Sequence, residues 1–327
     1  MGYPSDVVVG IDGATFDLIR PWVNEGKLPN FERFLKEGVT SELTTTYPPL
    51  TAPAWVSFMT GCNPGRHGVY DFLKSDPESE EVVNYSSIQS PSLWEMLSSK
   101  SRRCGLVNVP VTYPPPDIDG HVISGTLSSG DPRESCNPSS LIEELEEKTG
   151  TTWWHRESFN FAPSKPLEYF EGHLEYNKKM AEYSLTMLEE YEYDLFMVLL
   201  DIVDSISHFF WHYMDEDHPY HEDRGEEYST AILRAYQFVD DFLGKLDGTL
   251  PSDTNVVLMS DHGFGPIDTM VNLNNFFMEE ELLKLKNSPG TLLKRSLRGL
   301  GINPTRLVRI AEFFGLDSLA SMLPKGL

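Results

Sequence analysis

The 327-residue sequence predicts an α/β fold, a mainly parallel central sheet with helices on both faces. Three apolar runs, 7–11, 195–200 and 255–259, lack polar alternation, so each reads as a strand buried on both faces. Stretches with apolar residues at helical spacing separate them, as parallel strand pairs require. Each run also stops at an acidic turn: Asp12-Gly13, Asp201, or Ser260-Asp261-His262-Gly263.

The elements follow in order. After the first strand, Phe16, Ile19 and Val23 mark one helix; Phe31, Phe34 and Leu35 mark a second, with Pro29 near its start. Residues 39–45 are β-prone and read as a second strand, running into the stiff Tyr47-Pro48-Pro49. Residues 52–59 form a helix behind Thr51, and 103–109 and 121–124 are short strands. The irregular stretch 132–166 holds one helix at 140–148, and 132–190 as a whole reads as an insertion or lid over the site. A long helix at 167–191, a strand at 194–200, a helix at 226–246 and a strand at 255–259 complete a main domain of residues 1–275. Beyond Asn275 the chain is expected to be helical to its end, so 276–327 is set apart as a helical segment.

Asp and Glu number 50 against 26 Lys and Arg, a net charge of -24. Such a surface repels phosphate backbones and anionic lipid, which excludes nucleic-acid polymers and membrane surfaces as partners. A small phosphorylated substrate stays open if bound cations reverse the field locally. Cys62, Cys104 and Cys136 are too widely spaced for a disulfide framework or a CxxC zinc motif. No apolar window is long enough for a spanning helix, and the start has no basic segment before its apolar run. A cytoplasmic protein is the expectation.

Ligands of parallel sheets bind at the carboxyl ends of the strands. Here three such ends carry metal-capable residues: Asp12, Asp201 with Asp204 and His208, and Asp261 with His262. Mixed carboxylate and imidazole donors suit zinc, manganese or iron better than calcium or magnesium. Asp204 and His208 stand four apart and share a helix face, whereas Asp201 sits at the strand end seven residues before His208. Either acid can pair with that histidine. Asp261 and His262 are adjacent, and a turn at Gly263 would let both side chains face forward. Thr51, behind a diproline, is either a metal-activated nucleophile or the cap of its helix.

Taken together, Gly-Ile-Asp12-Gly, Pro-Pro-Leu-Thr51-Ala-Pro-Ala-Trp, Thr60-Gly-Cys-Asn-Pro-Gly-Arg-His67-Gly, Asp204-x-x-x-His208 and Ser260-Asp261-His262-Gly-Phe-Gly resemble the alkaline-phosphatase superfamily. Within it they are most similar to the type I phosphodiesterase/nucleotide-pyrophosphatase group, and there to the prokaryotic branch of phosphohydrolases or phosphomutases. The likeness runs from about residue 7 to about residue 275. It implies a phosphoric-ester hydrolase with two divalent metal ions, usually zinc, one held by Asp12, Thr51, Asp261 and His262. The other would be held by Asp204, His208 and a further histidine, with Asp201 behind them. Thr51 would be the nucleophile, passing through a phospho-threonine. A phosphomutase, or a catalytically incomplete binding or scaffold member, is the alternative.

Two departures from the family pattern stand out. No histidine follows His262, so the third ligand of the Asp204/His208 metal is missing and the chain is expected to be part of a longer protein. After His67-Gly68 the sequence reads Val69-Tyr70-Asp71-Phe72, without the asparagine expected to orient the phosphoryl group. His67 is read as structural, and His212, His218 and His221 as a surface or cap segment. The basic run from Lys284 to Arg309 is read as a solvated helix face.

Overall fold

A computed structural model describes residues 3–74, 81–125, 131–152, 164–267 and 269–284. Contacts divide the chain into one unit of Met1–Asn160 with Leu167–Pro266, and a second of Phe161–Pro166 with Ile267–Leu327. Every candidate site residue belongs to the first.

In that unit β1 (Asp6–Ile11) leads through α1 (Phe16–Asn24) and α2 (Pro29–Glu37) to α3 (Thr51–Thr60), α4 (Pro64–His67) and α5 (Leu93–Ser98). Next come β2 (Cys104–Val109), β3 (Gly120–Ser124), β4 (Cys136–Asn137) and α6 (Leu141–Thr149). They are followed by α7 (Pro166–Glu190), β5 (Leu195–Leu200), α8 (Ile202–Met214), α9 (Glu226–Ser229), α10 (Ala231–Thr249) and β6 (Asn255–Met259). The strands lie in the order β4-β3-β2-β5-β1-β6, parallel except for β4.

The absence of alternation in β1 and β5 has the expected cause. Val8, Leu195, Met197 and Leu199 pack with Trp55, Val56 and Met59 of α3 and Trp94 of α5 in one core. Their neighbours Val7, Val9, Phe196, Val198 and Leu200 point the other way and are equally buried. Burying each such side chain contributes roughly 1.5–3 kcal/mol. β1 is central, paired with β5 on one side and β6 on the other, so Asp12 leaves the sheet between Asp201 and the turn after Met259. Away from that edge, buried Asp240 of α10 accepts hydrogen bonds from the backbone N–H groups of Asn30 (3.2 Å) and Phe31 (2.8 Å), capping α2.

Four expectations are corrected. β6 is not buried on both faces: it pairs only with β1 at the sheet edge, and its Asn255 and Val257 are exposed. Residues 39–45 form no strand: residues 36–44 are all exposed, Val39 completely so. Their β-propensity meets no partner strand, and a strand without a ladder is not stable. The helix at 226–246 is two, α9 and α10, parted at Thr230. Beyond Asn275 the chain is not continuously helical. In the second unit α11 (Leu273–Glu279), capped by the Asn272 side chain, stops before Glu281, whose φ of 58° is incompatible with a continuing helix. Residues 285–327, with most of the basic run, lie outside the described residues.

Candidate metal centre

Asp12 is the first residue past β1; its N–H still bonds to the Leu200 carbonyl at 3.1 Å, which continues the ladder and fixes the backbone. Gly13 then turns with φ +68°, and a Cβ there would lie 3.1 Å from the Asp204 Cα. Glycine is therefore required twice over: for the turn, and to let the start of α8 approach β1.

Thr51 is the first residue of α3, and Leu50 occupies the capping position without a side-chain bond. The capping alternative for Thr51 is thereby set aside. Its hydroxyl points to the end of β1 instead, with Oγ1 3.4 Å from Asp12 Oδ1 and 3.2 Å from His262 Nε2. One turn on, the indole N–H of Trp55 donates to Asp12 Oδ2 at 3.3 Å.

Asp261 and His262 follow β6. Both side chains face the pocket, though Gly263 does not take a positive φ; the Ser260 hydroxyl donating to the His262 carbonyl at 2.6 Å shapes the turn. Asp261 Oδ1 accepts the Gly13 N–H at 3.3 Å, and its Oδ2 lies 3.3 Å from His262 Nε2. The carbonyl of Gly263 lies 3.0 Å from His262 Nδ1. A carbonyl only accepts, so Nδ1 carries a proton, and Nε2 faces Asp12 (3.6 Å), Asp261 and Thr51.

The third contribution is α8. His208 Nε2 lies 3.4 Å from Asp204 Oδ1, the i,i+4 pair that the spacing predicts. Phe264 meets the His208 ring edge-on at 4.8 Å and stacks on Trp211 at 5.6 Å. Asp201 is bound to Asn177 of α7, accepting from Nδ2 at 2.9 Å while its own N–H donates to Oδ1 at 3.1 Å.

Burial, then the neighbouring charges of Asp261, Asp204 and Asp201, raise the Asp12 carboxyl well above the ordinary range, against the Trp55 N–H. Burial also raises Asp261, despite His262 and the Gly13 N–H. The polar contact with Asp204 raises His208 above the usual imidazole value. Donor atoms of Asp12, Asp204 and His262 lie within 4.8 Å of one another. Asp204 Oδ1 and Asp261 Oδ2 are buried without a hydrogen-bond partner. Crowded carboxylates, orphaned oxygens and an imidazole nitrogen turned toward them fit a divalent cation.

Other histidines stand apart. Buried His67 accepts the Val69 N–H at Nδ1 (3.2 Å), so its protonated Nε2 donates to the Ser57 hydroxyl at 2.8 Å. In that tautomer it cannot act as a base toward Ser57. His221 is exposed and His218 half-buried in the turn after α8, where the His212 carbonyl lies 3.0 Å from His221 Nδ1. Sequence reasoning missed Trp55, Asn177 and Phe264 as partners of the acidic and imidazole groups. For Trp55 and Phe264 the signal was available, four residues after Thr51 and two after His262.

The model of the type I phosphodiesterase / nucleotide pyrophosphatase family matches residues 7–311. The chain belongs to this family. Phosphonoacetate hydrolase from Sinorhizobium meliloti 1021, solved with phosphonoacetate, aligns with a TM-score of 0.54 at 14% identity, covering 86% of this chain and 63% of the hydrolase. Wild-type alkaline phosphatase PafA aligns at 0.52 and 13% identity, covering 92% of this chain and 70% of PafA. BT1596, a 2-O GAG sulfatase, aligns at 0.52 and 11% identity, over 83% and 61% of the two chains. The chain thus has the alkaline-phosphatase-superfamily fold and spans under two thirds of the length of the hydrolase and of the sulfatase. No curated protein matches its sequence. No helix among the described residues is long and apolar enough to cross a membrane.

Proposed function

We propose that this family member is a metal-dependent phosphoric-ester hydrolase of the phosphodiesterase or nucleotide-pyrophosphatase type, acting through a phospho-threonine at Thr51. The observation that carries the reading is the Thr51 hydroxyl, held 3.4 Å from Asp12 and 3.2 Å from His262 at the carboxyl edge of a parallel sheet. Asp12, Thr51, Asp261 and His262 would hold one cation, and Asp204 and His208 would contribute to a second, zinc being the first choice and manganese or iron the alternatives. Such ions supply positive charge for the phosphoryl oxygens and make the threonine hydroxyl easier to deprotonate.

The residues then do the following. Thr51 Oγ1 attacks phosphorus, the bond to the leaving alcohol or phosphate breaks, and the hydroxyl proton leaves to solvent or to that group. Water opens the phospho-threonine in a second displacement, restoring Thr51 and releasing the phosphate or monoester. His262, its Nδ1–H committed to the Gly263 carbonyl, keeps its orientation through both steps. A cytoplasmic setting and a small phosphorylated substrate belong to the same proposal.

The test is hydrolysis of a chromogenic phosphodiester by purified protein loaded with zinc. Thr51→Ala is expected to lose about a thousandfold or more in kcat, while Thr51→Ser keeps measurable turnover and forms an acid-stable phosphoserine. Full activity in the alanine variant would mean that water attacks directly. Release of inorganic phosphate from a monoester product separates hydrolase from mutase.

A further inference from the structure

We infer that Trp55 is a positioning residue: its indole N–H fixes the rotation of the Asp12 carboxylate and registers α3, which carries Thr51, against β1. The inference rests on the Asp12/Thr51 reading above.

Two spacings meet here. Gly10 on β1 and Asp12, the first residue past it, are two apart and point to the same sheet face, the one bearing Val8 and covered by α3. Thr51 and Trp55 are four apart on α3 and share one helix face. A Cβ on Gly10 would lie 2.6 Å from Trp55 Cη2 and 3.2 Å from Cζ2, so the indole edge occupies the space that the glycine leaves. Nε1 is on that same edge of the ring, and it reaches Asp12 Oδ2 at 3.3 Å. Trp55 is fully buried, so no water competes for this contact.

An indole N–H can only donate. It therefore claims one specific oxygen of Asp12 and leaves Oδ1 facing Thr51 (3.4 Å) and His262 (3.6 Å). A carboxylate held at one oxygen presents the other in a single direction, so the donor set is assembled before any ion arrives. Partners of metal ligands typically change metal affinity or activity by about 10–100-fold. Trp55 acts on Asp12 in this way and touches no reacting atom.

The experiment replaces Trp55 by benzothienylalanine, which keeps the ring shape and substitutes sulfur for N–H; Trp55→Phe is the genetically simpler companion. Zinc affinity is measured by titration of the chelator-treated protein. The isostere is expected to weaken the tighter zinc site about tenfold and to lower kcat with KM for the chromogenic diester nearly unchanged. A second arm needs neither metal nor activity. In ¹⁵N-labelled, metal-free protein the Trp55 indole proton, assigned by its loss in Trp55→Phe, should exchange slowly and should shift in Asp12→Ala. Failure of zinc binding in the wild type would sink the metal reading but leave this arm to decide. An indole proton that is unmoved by Asp12→Ala, or unchanged zinc affinity in a folded isostere, would overturn the proposal.

Discussion

The two halves of the pocket are built differently. Asp12, Thr51, Asp261 and His262 come from the end of β1, α3 and the turn after β6, and are brought together by the sheet and by the packing of α3 on it; the ionisable side chains are 4%, 0% and 13% exposed for Asp12, Asp261 and His262. Asp204 and His208 come from a single helix, and the His208 side chain is 58% exposed. The first half is fixed by long-range packing and carries like charges in a buried space. The second is set by helical spacing, and as the proposed metal donors its two side chains would leave most of a coordination shell to other groups. Assembly by tertiary structure thus gives a buried, crowded set of polar groups, and assembly by local spacing gives a more exposed pair.

The largest expected effect separates the halves by metal affinity. Asp261→Asn should weaken the tighter zinc equivalent by more than about a hundredfold, beyond what loss of an outer partner costs. His208→Ala should abolish only a weaker second equivalent. Calorimetric titration counts both, and two equally tight equivalents in the wild type would show that another donor completes the second set. A smaller effect has the opposite sign. In metal-free protein Asp12→Asn should raise stability to urea by about 1–2 kcal/mol, because it removes one of several buried carboxylates that repel one another. Asp204→Asn, at a more accessible site, should gain less. Equal gains would erase the contrast in burial.

The smallest effect lies at the end of α4, outside the pocket. Burial lowers the His67 imidazole below its ordinary value. The unfolded chain then takes up a proton that the folded chain refuses, so stability falls as pH drops below about 6.5, toward the lower folded value. His67→Gln should remove up to about 1.4 kcal/mol per pH unit of that slope. An unchanged slope would assign the pH dependence to other histidines.

How much of this was legible follows from what each residue depends on. β1 and β5 could be read because a strand buried on both faces needs an unbroken apolar run, which is a local property; β6 carries such a run at the sheet edge, with Val257 exposed. Asp204 with His208 could be read from one helical turn. The stretch 39–45 could not, since β-propensity says nothing about whether a neighbouring strand is present. Asn177 lies 24 residues before Asp201, and no spacing rule links them. Trp55 depends on the absence of a side chain at Gly10, which becomes informative only when α3 is seen lying across β1.

That exposed stretch has a consequence for the covalent chain. Residues 36–44 offer an accessible cleavage site between β1, which carries Asp12, and α3, which carries Thr51. A protease cutting there would separate the acid and the hydroxyl into different polypeptides. The shorter fragment would keep β1, which is hydrogen-bonded to β5 and β6 along its length. It would also keep α2, capped by Asp240 from the other fragment. The nicked protein would stay together as a complementing pair, with Asp12 and Thr51 held to each other by noncovalent contacts alone.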